Sequence, residues 1–135
     1  MKVAVVTDDG TTISRHFGRA ATYLVFTIEA GAITGREQRA KPTHRHGAHT
    51  HHEQHEIHLH EQAHGMDAES DHKHNEMVEP IQDCAALIAR GMGTGAYLSL
   101  QQAGIRPFIT DYEQAEAAVL AYSAGTLEDH PERLH

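Results

Sequence analysis

Apolar positions along this chain gather in short continuous runs separated by polar and glycine-bearing stretches. Val3 to Val6 is unbroken and mostly β-branched, the pattern of a strand buried on both faces. Asp8-Asp9-Gly10 ends it, and a polar loop from Thr11 to Arg19 follows. Tyr23 to Ile28 predicts a second strand and Ala30-Gly31 a hairpin turn. Ala32 to Arg39 grows increasingly polar, as an edge strand should, and Lys41-Pro42 closes this half.

The second half follows a long polar segment. Asn75 to Gln82 predicts a short helix in which Pro80 is an awkward member. Ala85 to Ala89 is another apolar strand, followed by the glycine-rich loop Arg90-Gly91-Met92-Gly93-Thr94-Gly95. Ala96 to Ala103 reads as a helix stopped by Gly104, and Ile105 to Ile109 as a last strand. Asp111 is placed to N-cap a helix over Tyr112 to Ala124, stopped by Gly125; residues 126–135 read as a polar tail.

The order βββαβαβα predicts an α/β fold with a mixed five-stranded sheet. It forms one domain over residues 1–125, interrupted by an insertion at 43–74. Right-handed crossovers place the later strands parallel to the first. The loops after Val6 and after Ala89 then meet at a topological switch point, where open α/β sheets place their ligands.

Hydrophobic residues make up 39% of the 135 residues, low for a single core, but the deficit is confined to the insertion. That stretch holds 11 of the 14 histidines: His44, His46, His49, His51, His52, His55, His58, His60, His64, His72 and His74. Imidazole is a ligand for zinc, copper, nickel and cobalt. Pairs two apart, such as His44 and His46, can chelate one ion from an extended chain; pairs four apart, such as His51 and His55, would share a helix face. Glu53, Glu56, Glu61, Asp67, Glu69 and Asp71 can add oxygen ligands. So many equivalent ligands favour several exchanging sites over one closed shell. The competing reading is a solvated insertion that meets metal only adventitiously.

Formal charge is −8 with neutral histidines, which argues against nucleic acid as a partner. Protonating the histidines would reverse its sign. The single cysteine, Cys84, excludes an intramolecular disulfide, and a buried structural thiol is its simpler reading. The N-terminus turns acidic too early for a signal peptide. No apolar stretch approaches the ~20 residues of a membrane span. A cytoplasmic protein without a membrane partner is the expectation.

At the switch point, Arg15, His16 and Arg19 flank Phe17-Gly18 in one loop, and Arg90 precedes Gly91, Met92 and Gly93 in the other. Converging backbone N–H groups, a helix N-terminus and three arginines suit an anion. No Walker lysine or GxGxxG pattern is present. A two-metal nuclease could use Asp8 and Asp9, but the neighbouring strand ends on Arg90 and Gly91 rather than carboxylates. Ser14 with His16 is too generic for a dyad, and Cys84 has no evident base. The residues therefore point to a binding protein, not an enzyme.

Read in order, several stretches form a recognisable set: Met1 to Asp9, Ser14-x-His16-Phe17-Gly18-Arg19-Ala20, Cys84 with Ala85 to Ala89, Gly91-Met92-Gly93, and Ala103-Gly104-Ile105. The chain resembles the dinitrogenase iron–molybdenum cofactor biosynthesis family, which includes NifX-type carriers, the C-terminal domain of NifB and the molybdenum–copper orange protein. The resemblance covers residues 1 to about 40 and about 75 to 125. It implies a ribonuclease H-like three-layer fold and a preformed anionic metal–sulfur cluster, molybdenum–iron or molybdenum–copper, held with few thiolates. It also implies that His16, Arg19, Arg90 and Met92 line the cluster pocket. The histidine insertion departs from the family pattern and admits a second expectation, a nickel, zinc, cobalt or copper buffer on the same scaffold. A carrier further implies a recipient metalloprotein.

Only the neutral imidazole ring coordinates metal. A divalent ion loaded on the insertion at about pH 7.5 should therefore be released by about pH 5.5, across the ordinary histidine range. Metal content after dialysis at each pH checks this, and full retention would exclude imidazole ligation.

Overall fold

Burial on both sides keeps the first strand apolar at every position. In the computed structural model, which describes residues 1–42 and 76–134, β1 (Lys2–Thr7) lies at the centre of a sheet. The other strands are β2 (Thr22–Glu29), β3 (Ala32–Ala40), β4 (Ala86–Ala89) and β5 (Arg106–Ile109), in the order β3-β2-β1-β4-β5. β1, β2 and β3 form an antiparallel meander, while β4 pairs parallel with β1, and β5 with β4. The expected mixed five-stranded α/β architecture is thus present. The histidines from His44 to His74 lie outside the described residues.

Alternate residues of β1 enter two separate cores. Ala4 and Val6 pack with Met77, Ile81 and Leu100, whereas Val3 and Val5 pack with Ala115, Ala118 and Val119. Helix α1 (Thr94–Gln102) and the segment around Met77 therefore cover one face of the sheet, and α2 (Ala115–Ala124) covers the other. Each fully buried valine or leucine contributes about 1.5–3 kcal/mol, and β1 contributes to both layers.

The hairpin turn falls at Ala30-Gly31, with φ of 53° and 80°. Two positive φ values are what a two-residue type I′ connection requires. Between the pairs Thr27↔Gly35 and Ile28↔Ile33 the register shifts, leaving Thr34 as a bulge on the edge strand.

Three elements differ from the sequence pattern. The expected helix from Asn75 to Gln82 is helical at 76–78 and then tightens to a 3₁₀ turn over Glu79–Ile81. Pro80 sits in the first positions of that turn, where a missing N–H is harmless. α1 begins two residues before Ala96, with Gly93 in an extended conformation as its N-cap. α2 begins at Ala115 with Gln114 as its N-cap, so Asp111 does not cap it. The backbone just before α2 is already engaged with the loop after β1: Ile13 N–H donates to Glu113 O (2.8 Å) and Ala115 N–H to Thr11 O (3.0 Å). Helical dihedrals from Tyr112 onward would forfeit these bonds. Asp111 instead pairs with Arg133 and lies 3.6 Å from His130 Nε2.

The polar C-terminal stretch is tied down. Ile109 N–H donates to Asp129 Oδ1 (2.9 Å) and His130 N–H to Ile109 O (2.8 Å). A short bridge joins Met92 and Leu134. Arg106 and Thr110 donate towards β4, so Pro107 and Ile109 face outward from β5. Proline has no N–H to leave open there, and the tail satisfies Ile109, which together blunt this sheet edge. On the opposite side, Arg39 at the end of β3 grips the segment at Pro80 and Asp83. Its guanidinium donates to Asp83 (2.7 and 3.2 Å) and to Pro80 O (2.8 Å), and its Nε to Glu37 (2.8 Å). The Tyr23 hydroxyl donates to Met77 O beside it.

No described helix is long and apolar enough to cross a membrane.

Removing the Asp129 carboxylate would strand the buried Ile109 N–H. Asp129→Ala is expected to lower stability by about 1–2 kcal/mol, read from urea denaturation. An unchanged midpoint would mean that water replaces the carboxylate.

Candidate functional site

The parallel strands β1, β4 and β5 all end on the same side of the sheet, and the loops leaving them build the candidate site. Asp9 organises the first loop. Its carboxylate accepts from the Thr12 hydroxyl (2.7 Å), from the Thr12 and Thr11 N–H groups (2.7 and 2.8 Å) and from the Thr7 hydroxyl (3.2 Å). These bonds, led by the Thr12 hydroxyl, hold the carboxyl well below the usual carboxylate range. Asp8 accepts from Ala21 N–H (3.2 Å) at the far end of the same loop. Both carboxylates that a nuclease reading would need thus shape the loop instead.

Backbone hydrogen bonds join the two loops as expected. Ser14 N–H donates to Val6 O (2.8 Å), Arg90 N–H to Ser14 O (3.2 Å) and Phe17 N–H to Gly91 O (3.0 Å). Beyond them the chain closes one helical turn, with Arg19 and Ala20 N–H donating to His16 O (3.2 and 3.1 Å). Phe17, 1% exposed, and Ala20, fully buried, anchor the turn from below. Arg15, His16 and Arg19 are exposed above it. The Ser14 hydroxyl bonds within the turn, 3.2 Å from His16 N and 3.3 Å from His16 O. It is a local side-chain-to-backbone turn, not a catalytic hydroxyl poised on an imidazole.

The second loop contributes mainly through its backbone. Gly91 is buried, and Gly93 caps α1, whose positive end faces the loop. Met92, expected in the pocket lining, is only 1% exposed and packs in the core with Phe17 and Leu100. Arg90 is half-buried. The Asp111 carboxyl beside it is held below its ordinary value first by Arg133, then by His130 and Arg90. Arg133 and His130 reach this end of the sheet from the tail, and no periodicity in the sequence announces them.

Cys84 is buried, its Sγ 3.7 Å from Asp83 Oδ1. Burial, then the Asp83 charge, pushes its thiol up to about 12, so it is protonated and a poor metal ligand near neutral pH. Among the described residues, no three or more His, Cys, Asp or Glu side chains are grouped to hold a metal ion. A shallow groove between β3 and α2, lined by Ile33, Arg36, Glu116 and Leu120 among others, lies near the hairpin turn at the opposite end of the sheet.

The family model described as dinitrogenase iron-molybdenum cofactor matches residues 1–125. Among solved structures, the chain is similar to a candidate dinitrogenase from Methanocaldococcus jannaschii, at 14% identity and a TM-score of 0.59 over 97% of this chain and 95% of that one. It is similar to the apo orange protein from Desulfovibrio gigas, at 18% identity and a TM-score of 0.59 over 96% and 92%. A candidate NifB protein from Thermotoga aligns at 19% identity with a TM-score of 0.54, over 95% and 91%. At such identities these likenesses bear on the fold. No curated protein matches the chain.

The environment of Cys84 makes its thiol inert in the folded state. Its labelling by a thiol-specific disulfide reagent at neutral pH should be at least about 100-fold slower in native protein than in urea, because the thiolate is the reacting species. Equal rates would show that the thiol is accessible and ionised.

Proposed function

The chain belongs to the dinitrogenase iron–molybdenum cofactor family, and from that premise we propose that it binds and carries an anionic metal–sulfur cluster. In this reading the cargo is an iron–molybdenum or molybdenum–copper cluster, and the protein serves its assembly or its delivery to a recipient metalloprotein rather than catalysing a reaction. The observation that carries the proposal is the joining of the two loops. The bonds from Arg90 N to Ser14 O and from Phe17 N to Gly91 O fix the His16–Ala20 turn against the loop leading into α1. In this reading the exposed Arg15, His16 and Arg19, on a turn bonded to the loop that Arg90 opens, meet the cluster together with Arg90.

Such a site suits a sulfur-rich anion. Guanidinium groups stay charged throughout the physiological range and present several donors in a plane. Charge-assisted hydrogen bonds to the cluster's surface need no thiolate from the protein. The positive end of α1 adds to the same field. A carrier must also release its cargo, and exposed arginines on a turn allow exchange that a closed ligand shell would not.

A second reading rests on the 11 histidines between His44 and His74. There the insertion buffers nickel, zinc, cobalt or copper, and the folded core is its scaffold. The two readings also combine, with the insertion recruiting metal for the core.

Elemental analysis with an optical spectrum separates them. Anaerobically purified full-length protein is compared with a variant lacking residues 44–74 and with an Arg15→Ala, Arg19→Ala, Arg90→Ala triple variant. Molybdenum or iron with sulfide, kept by the deletion and lost by the triple variant, is the expected result for a cluster carrier. Divalent ions without sulfide, lost with the deletion and kept by the triple variant, would replace the carrier reading with the buffer.

A further inference from the structure

Lys41 is the one charged side chain that is buried among the described residues, at 4% exposure. Its backbone N–H donates to Ala21 O (3.3 Å), which fixes it beside the start of β2. Its Nζ lies 4.7 Å from the centroid of the Phe17 ring and 5.9 Å from that of Tyr23. Among the described residues, Nζ is also the buried side-chain polar atom without a hydrogen-bond partner. An unpaired ammonium in such a position opposes folding, and aromatic faces offset only part of the lost hydration. A methionine would fill the same space without that penalty. The ammonium thus lies against the ring that anchors the turn bearing His16 and Arg19, on the buried side of the candidate anion site.

We propose that Lys41 is the buried counter-charge of this site, pairing from below with the anionic thiometallate face that Arg15 and Arg19 meet from above. The inference rests on the carrier reading and gives it a residue that the motif does not contain.

The surroundings define how the pairing should respond to pH. Burial lowers the Lys41 ammonium to about 8, partly opposed by the Asp8 carboxylate. Tyr23 beside it is raised far above its ordinary value by burial and then by Cys84, so its hydroxyl stays neutral. Arg15, His16 and Arg19 are the exposed titratable and charged groups of the turn above. An arriving anion favours the charged amine, so binding above about pH 8 should draw a proton onto Lys41, and affinity should fall as pH rises.

The test is calorimetric titration of the full, metal-stripped chain with tetrathiomolybdate between about pH 7.5 and 9.5, above the ordinary histidine range. Two buffers of different ionisation heat give the protons taken up. The wild type should lose about tenfold in affinity per pH unit above the lysine's value, with up to about one proton taken up per anion. Lys41→Met should bind at least about tenfold more weakly at pH 7.5, show no proton uptake, and melt no lower than wild type. A Met variant that binds like wild type with the same pH slope would overturn the role of Lys41 while leaving the carrier reading intact. Should that variant not fold, the wild-type measurement at pH 8.5 decides: absence of proton uptake overturns the inference. Failure of the wild type to bind tetrathiomolybdate at any of these pH values would overturn the carrier reading, and Lys41's role with it.

Discussion

The parallel pairing of β1 with β4 is the constraint on which the candidate site depends. Val3, Ala4 and Val5 lie opposite Ala86, Leu87 and Ile88, so both strands run out at the same end of the sheet. Their loops must then leave side by side, and their exposed backbone groups find each other: Ser14 O takes Arg90 N–H, and Gly91 O takes Phe17 N–H. Each bond contributes only about 0.5–1.5 kcal/mol net. What they fix is position, because a turn held at both its ends presents its side chains in one arrangement. The pairing survives because β1 is sealed on both faces by separate cores, one under α1 and one under α2.

Charge in this protein is organised locally, against its overall sign. The chain is acidic, at −8, yet the switch-point end gathers Arg15, Arg19, Arg90 and Arg133. Carboxylates at that end are largely engaged. Asp9 is occupied by three threonines, Asp8 accepts from Ala21, and Asp111 is paired with Arg133. Net charge governs solubility and long-range steering. Recognition depends on which charges remain available within a few ångströms, and of these four arginines Arg133 is already paired with Asp111.

Much of this was legible in the sequence because it rests on local rules. The run Val3–Val6 declares a doubly buried strand; Ala30-Gly31 and Gly125 mark positive φ, and strand order then dictates where the loops meet. The features that escaped the sequence depend on contacts between distant residues. Asp111 has the chemistry of an N-cap, but the loop at Thr11–Ile13 claims the backbone after it. Met92 carries a motif position, yet core packing draws its side chain inward. Asp129 and His130 stand in a stretch with no periodicity, and only the open edge of β5 gives them a role. Lys41 reads as punctuation before Pro42, since nothing local in a sequence distinguishes a solvated lysine from one enclosed by two rings.

The grip of Arg39 on Asp83 and Pro80 has a bearing on how such a chain can change over generations. With the Tyr23–Met77 bond, it secures both roots of the 43–75 stretch to the folded body, independently of what lies between. The entropic cost of joining two anchored points grows only slowly with the length of chain between them, by about 0.6 kcal/mol for each doubling if that chain is flexible. Residues can therefore be gained, lost or exchanged there with little penalty to the sheet. The clasp makes this point of the fold a grafting port, where the chain between Arg39 and Pro80 can vary without renegotiating the core.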